Sequence, residues 1–175
     1  MRKSITILLL LLSLALFSTP FSTNAQPGRT LTLFLYAAKF VCGKSGDQGV
    51  VSPGQYFTAI NVHNASPLAA VRYIKRFAIA LPEERPGKIS ECTPGTLGPD
   101  EAMGIDCNNI YKHTGTPPGS FLEGYALLYS LSELDVVSIH TAGPREVETL
   151  HTERVPVRRL VLGRQAAISR KMLEQ

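Results

Sequence analysis

The chain contains no tryptophan, only three cysteines in 175 residues, and just 18% charged positions. It also lacks a Gly-rich phosphate cradle, a G-x-S-x-G elbow, an H-E-x-x-H pair and a paired C-x-x-C. These gaps remove the usual signatures of nucleotide binding, of an α/β-hydrolase nucleophile, of a zinc peptidase and of thiol redox chemistry. Long apolar runs are missing too. The most apolar stretch, Ile5 to Phe17, is thirteen residues, about two thirds of the roughly 20 needed to cross a bilayer.

That stretch has a different meaning. Arg2 and Lys3 precede it, and Thr23-Asn24-Ala25 comes after it as a small-residue cleavage site. The three parts together predict a secretory signal peptide over residues 1–25, cut before Gln26. The first cysteine is Cys42, so no lipid-modified amino terminus is expected, and no membrane span remains after cleavage. The expected location is the periplasm or the exterior. Residues 26–162 are read as one domain and residues 163–175 as a basic, solvated tail.

Export also changes the charge. The whole chain carries +4, but loss of Arg2 and Lys3 leaves 16 basic against 14 acidic residues. The pI of about 9.1 overstates the basicity of the processed protein. Nucleic acid is not an expected partner, because such binding depends on concentrated positive charge.

Period-two patterning dominates the chain beyond the leader. Thr30–Phe40, Tyr56–Asn64, Val71–Leu81, Ala102–Cys107, Phe121–Ser130, Leu134–Thr141 and Val147–Leu162 read as strands, the last interrupted at Pro156. Pro82 to Pro99 reads as a long connection with at most one short strand, and Asn108 to His113 as a turn or single helical turn. Arg164–Leu173 has fair helix propensity. About seven short strands without an alternating helix pattern predict an all-β fold, an immunoglobulin-like antiparallel β-sandwich, with a jelly roll or small barrel as alternatives.

Three cysteines in an exported chain imply one bridge and one odd thiol. Cys42 and Cys107 each close a predicted strand and are expected to pair, at roughly 4 kcal/mol as an upper figure from loop entropy. Cys92, beside Glu91, Thr93 and Pro94, has neither a base nor a cation to activate it.

Four histidines, His63, His113, His140 and His151, have no close-spaced partner and read as structural or surface residues, so no metal or organic cofactor is expected. Asp100, Glu101 and Asp106 read as a solvated edge. Asn64-Ala65-Ser66 matches a glycosylation acceptor, but Pro67 comes next and marks a turn. The aromatic residues Tyr36, Tyr56, Phe57, Tyr73, Phe77, Tyr125 and Tyr129 read as core rather than as a sugar platform.

The segments YAAKFVCG (36–43), YFTAINVHN (56–64), LGPDEAMGIDC (97–107) and ELDVVSIHTA (133–142) resemble a group of secreted bacterial proteins of unassigned function. More remotely, the strand ending in Asn-Ala-Ser and the later Val-Val-x-x-His-Thr string resemble the sensory rhodopsin transducer family, small β-sandwich proteins proposed as binding modules. That family continues with Arg-Leu-Asp where this chain has Ala142-Gly143-Pro144, and it works in the cytoplasm, so only the architecture is implied here.

The resulting expectation is an exported binding or accessory protein for a partner protein, small molecule or carbohydrate. A hydrolase with a carboxylate/histidine site and an envelope scaffold component are the alternatives. The binding residues are expected to be His63, Asn64, His140 and Thr141, gathered at one sheet end if their strands run in the same direction.

Overall fold

The computed structural model describes residues 30–46, 51–143 and 149–162; the leader and the basic tail with its expected helix lie outside them. The elements in chain order are β1 (Leu31–Ser45), β2 (Gly54–His63), β3 (Val71–Ala80), β4 (Pro86–Ile89), β5 (Thr93–Leu97), β6 (Ala102–Asp106), α1 (Cys107–Thr114), β7 (Leu122–Ser130), β8 (Asp135–Gly143), β9 (Thr149–Arg154) and β10 (Arg158–Leu162). The fold is mostly β and its named strands pair antiparallel, with ten strands among the described residues where the sequence suggests about seven.

The three additional strands have physical explanations. Pro86 and Pro94 make the 82–99 segment look like a loop, yet β4 and β5 both pair with β3 on the side away from β7. Prolines fit such outer strands because their missing N–H faces away from the ladder. The final predicted strand is two strands, since β9 pairs with β8 while β10 pairs with β1. Pro156 lies in the crossover between them.

β1 organises the whole sheet. Phe34–Cys42 pairs with β7, whereas Gly43–Ser45 pairs with β2. The change of partner falls at Gly43, whose φ of +88° suits glycine, and a Cβ there would collide with the Ser120 carbonyl. Hydrogen bonding runs in the order β4-β3-β7-β1-β2-β8-β9. Alternate residues Tyr36, Ala38, Phe40 and Cys42 of β1 pack with Phe77 of β3, Leu128 of β7, Ile60 and Val62 of β2, and Val136 of β8 in one core cluster. Phe40 meets Phe77 edge-on at 6.3 Å between ring centroids, a favoured aromatic geometry.

The expected disulfide is present between Cys42 and Cys107, with Cα atoms 5.7 Å apart, and Cys92 is free and exposed. Cys107 opens α1, and Asp106 caps it. The Asp106 carboxylate accepts from the Asn109 N–H at 2.8 Å, while Asn109 Oδ1 accepts from the Asp106 N–H at 3.1 Å. This reciprocal cap makes one full helix from the expected turn, and it gives Asp106 a structural task. Glu101 has another, accepting the Gly98 N–H at 2.6 Å. No helix among the described residues is long and apolar enough to cross a membrane.

Candidate ligand-binding groove

β2 is paired along Gly54–Tyr56 by β1 and along Ala59–His63 by β6, which leaves Phe57 and Thr58 between the two ladders. Thr58 fills that gap with its side chain. Its hydroxyl accepts from the Val41 N–H and donates to the Val41 carbonyl, both at 2.9 Å, and its own N–H reaches Cys107 Sγ at 3.3 Å. The third partner of this hydroxyl is His140 Nδ1 at 3.1 Å. The contact fixes the imidazole plane, and Nε2 faces the Glu153 carboxylate. Burial lowers the pKa of His140, with the Glu153 carboxylate partly opposing the shift.

The adjoining strand completes the site. His151 lies directly opposite His140, and Glu153 directly opposite Ser138. Positions 151 and 153 share a strand face with 138 and 140, because side chains alternate with period two. The two imidazoles stack at 6.2 Å. His140 Nε2 is 3.8 Å from Glu153 Oε1, and His151 Nε2 is 3.9 Å from Glu153 Oε2. These groups line a groove of about 340 Å³ together with Lys39, Tyr56 and Thr149. Lys39 is held by Glu123 at 2.6 Å.

A second cavity of about 390 Å³, bordered by Phe57, Ile139, Thr141, Asn108 and Tyr111, adjoins the first. Register places Phe57, Thr141 and Leu150 side by side on the face opposite to His140. Phe57 and Leu150 are exposed there.

The four expected binding residues do not gather. β2 and β8 are antiparallel, so His63 pairs with Asp135 while His140 pairs with Thr58, five rungs or about 17 Å away at 3.4 Å per residue. Asn64 is fully buried. Its Nδ2 donates to the carbonyls of Ala69 at 2.8 Å, Gly98 at 2.8 Å and Leu97 at 3.3 Å, and its Oδ1 accepts from the Ser66 N–H at 3.1 Å. Asn64 thus ties three loop segments together, as the turn reading suggests. Thr141 borders both cavities, but its strand face is not that of His140. Thr58, His151 and Glu153 were missed. The His-x-Glu spacing at 151–153 carried the signal, since it puts both side chains on one face of any strand.

Chemically, Thr58, His140 and Glu153 lie in the order of a nucleophile, base and acid, but Thr58 is buried and its proton is committed to Val41. The hydroxyl is a positioning group. What faces the groove is a pair of imidazole nitrogens and a carboxylate, an arrangement suited to holding a ligand by donated lone pairs and hydrogen bonds. Among the described residues, no group of three or more His, Cys, Asp or Glu side chains could hold a metal ion.

No protein-family model and no curated protein matches the chain. Among solved structures it is similar to a Thermotoga maritima protein, with 9% identity and a TM-score of 0.44 over 72% of this chain and 92% of that one. No assignment of fold family or function rests on that likeness.

Proposed function

We propose that the chain is an exported, immunoglobulin-like β-sandwich protein that binds a ligand in the groove between β1 and the β8–β9 hairpin. Export is supported by the leader pattern of residues 1–25 and by the Cys42–Cys107 bridge, since disulfides persist in oxidising compartments. The sandwich reading is supported by a single core cluster to which β1, β3 and β7 contribute together with β2, β6 and β8. The observation that carries the binding assignment is His140, locked by Thr58 with its Nε2 turned toward Glu153 and the groove. Fixing a ring costs entropy, and doing so beside an open groove pre-organises a contact.

The test is a set of ¹H–¹⁵N spectra of the exported protein titrated with a panel of monosaccharides, small carboxylates and amino acids. Shifts centred on His140, His151 and Glu153, lost in His140→Ala, are expected for at least one member. Shifts centred instead on His63 and Asp135, or binding unchanged in His140→Ala, would overturn the assignment.

A further inference from the structure

We propose that β9 is a docking edge for a second copy of this chain, the two β9 strands pairing antiparallel across a two-fold axis with His151 of each opposite Glu153 of the other. The pairing does not depend on what the groove holds.

Among the described residues β9 pairs only with β8 and ends the hydrogen-bonded path of strands. An edge strand presents a row of unpaired N–H and C=O groups, and proteins blunt such edges with proline. β4 and β5 carry Pro86 and Pro94. β9 carries no proline, and all of its residues are exposed. One bond fixes which of its backbone groups face outward. The Val155 N–H donates to the Val136 carbonyl at 2.9 Å, one rung beyond the Arg154–Val137 pair, and backbone groups alternate sides along a strand. The odd-numbered residues of β9 therefore bond β8, while Leu150, Thr152 and Arg154 present their N–H and C=O groups to the open side.

Two copies of this edge pair antiparallel only with outward residues opposite outward residues, so the register moves in steps of two. One register sets Thr152 opposite the partner's Thr152, with Leu150 opposite the partner's Arg154 and the reverse. Each of these pairs exchanges two bonds, about six in all. His151 then falls opposite the partner's Glu153, twice over by symmetry, at non-hydrogen-bonded positions where Cα atoms approach to about 4.5 Å. An imidazole N–H donates to a carboxylate, so the edge is self-complementary in charge. The neighbouring registers lose this match. One sets His151 against the partner's His151 and the other sets Glu153 against the partner's Glu153, which repels, and each drops about a third of the bonds.

The pairing also completes the groove wall. His151 and Glu153 line the groove, and the His151 side chain is 71% exposed with only Glu153, at 3.9 Å, as an ionic neighbour. In the pair it gains the partner's carboxylate, and the two grooves meet across the axis. A contact built on one short strand falls below the roughly 1,200 Å² of stable interfaces. The dimer is therefore weak and reversible, and the chain is monomeric at low micromolar concentration.

The experiment is sedimentation equilibrium of the exported protein up to about 1 mM, where a Kd of about 0.1–1 mM is expected for so small a contact. Thr152→Pro removes an outward N–H and none that bonds β8. It should weaken association about tenfold or more, since symmetry removes two bonds, with the amide signals of Ile60, Ile105 and Val136 unmoved. His151→Glu alone and Glu153→Lys alone each lose the opposite-sign contact and should weaken association roughly 2-fold to 30-fold; the two changes together should restore it. A chain that stays monomeric at about 1 mM, or dimers that survive Thr152→Pro, would overturn the docking edge. Dimers that the exchanged charges do not restore would overturn the register. If the proline variant does not fold, the charge series decides alone: weakening by each change and recovery by both supports the edge, and indifference to all three overturns it.

Discussion

Two neighbouring regions use their polar groups in opposite ways. Around Thr58 and Asn64 the side-chain donors and acceptors are consumed by backbone partners, and both residues are buried. On β9, two strands from Thr58, all six residues from Thr149 to Arg154 are exposed, and Glu153 lies 3.8 Å from His140 and 3.9 Å from His151. Polar groups spent on closing the fold cannot recognise a ligand, and those left open contribute little to stability. His140 stands at the boundary, one nitrogen committed to each region.

The sharpest way to break the contrast is at the bridge. Cys42→Ser with Cys107→Ser should cost about 4 kcal/mol in urea unfolding, near the upper end for a loop of 65 residues' separation, with groove binding retained below the transition. A loss under about 1 kcal/mol would show that this end holds without its cross-link. Asn64→Ala comes next. It strands the Ala69, Leu97 and Gly98 carbonyls and should cost about 1–3 kcal/mol; a neutral result would mean that water replaces the amide.

The smallest effect has the opposite sign. Ser138→Ala removes a buried hydroxyl without a partner and should raise stability by about 1 kcal/mol in the ligand-free protein. A clear loss would reveal a hydrogen bond that the ligand-free state already makes, and Ser138 would then belong to the packed region.

The packed region was largely legible in the sequence. Cys42 and Cys107 pair as expected, and β2, β7 and β8 fall where alternation places them, because each buries alternate residues along part or all of its length. β4 and β5 were not, since they contain prolines that mimic loop, and the strand read over Val147–Leu162 had no face assigned because β9 buries neither. The same property concealed the groove. An exposed strand shows no hydrophobic period, so His151 and Glu153 could not be assigned a face partner from residue order alone. His63 and His140 were grouped wrongly for a related reason, as alternation gives the face of a strand but not its direction. The helix was underestimated because its cap uses Asn109 where Glu or Gln is usual.

The central claim is that the β8–β9 groove binds while the rest of the fold merely holds it. It is tested most directly by thermal unfolding of the wild type and a His151→Ala, Glu153→Gln double variant, each with and without the panel compound that shifts the groove resonances. Without ligand, the two proteins should agree within about 0.5 kcal/mol, as expected for surface substitutions. With ligand, only the wild type should gain stability. Equal stabilisation of both proteins, or a variant already destabilised by several kcal/mol without ligand, would contradict the claim.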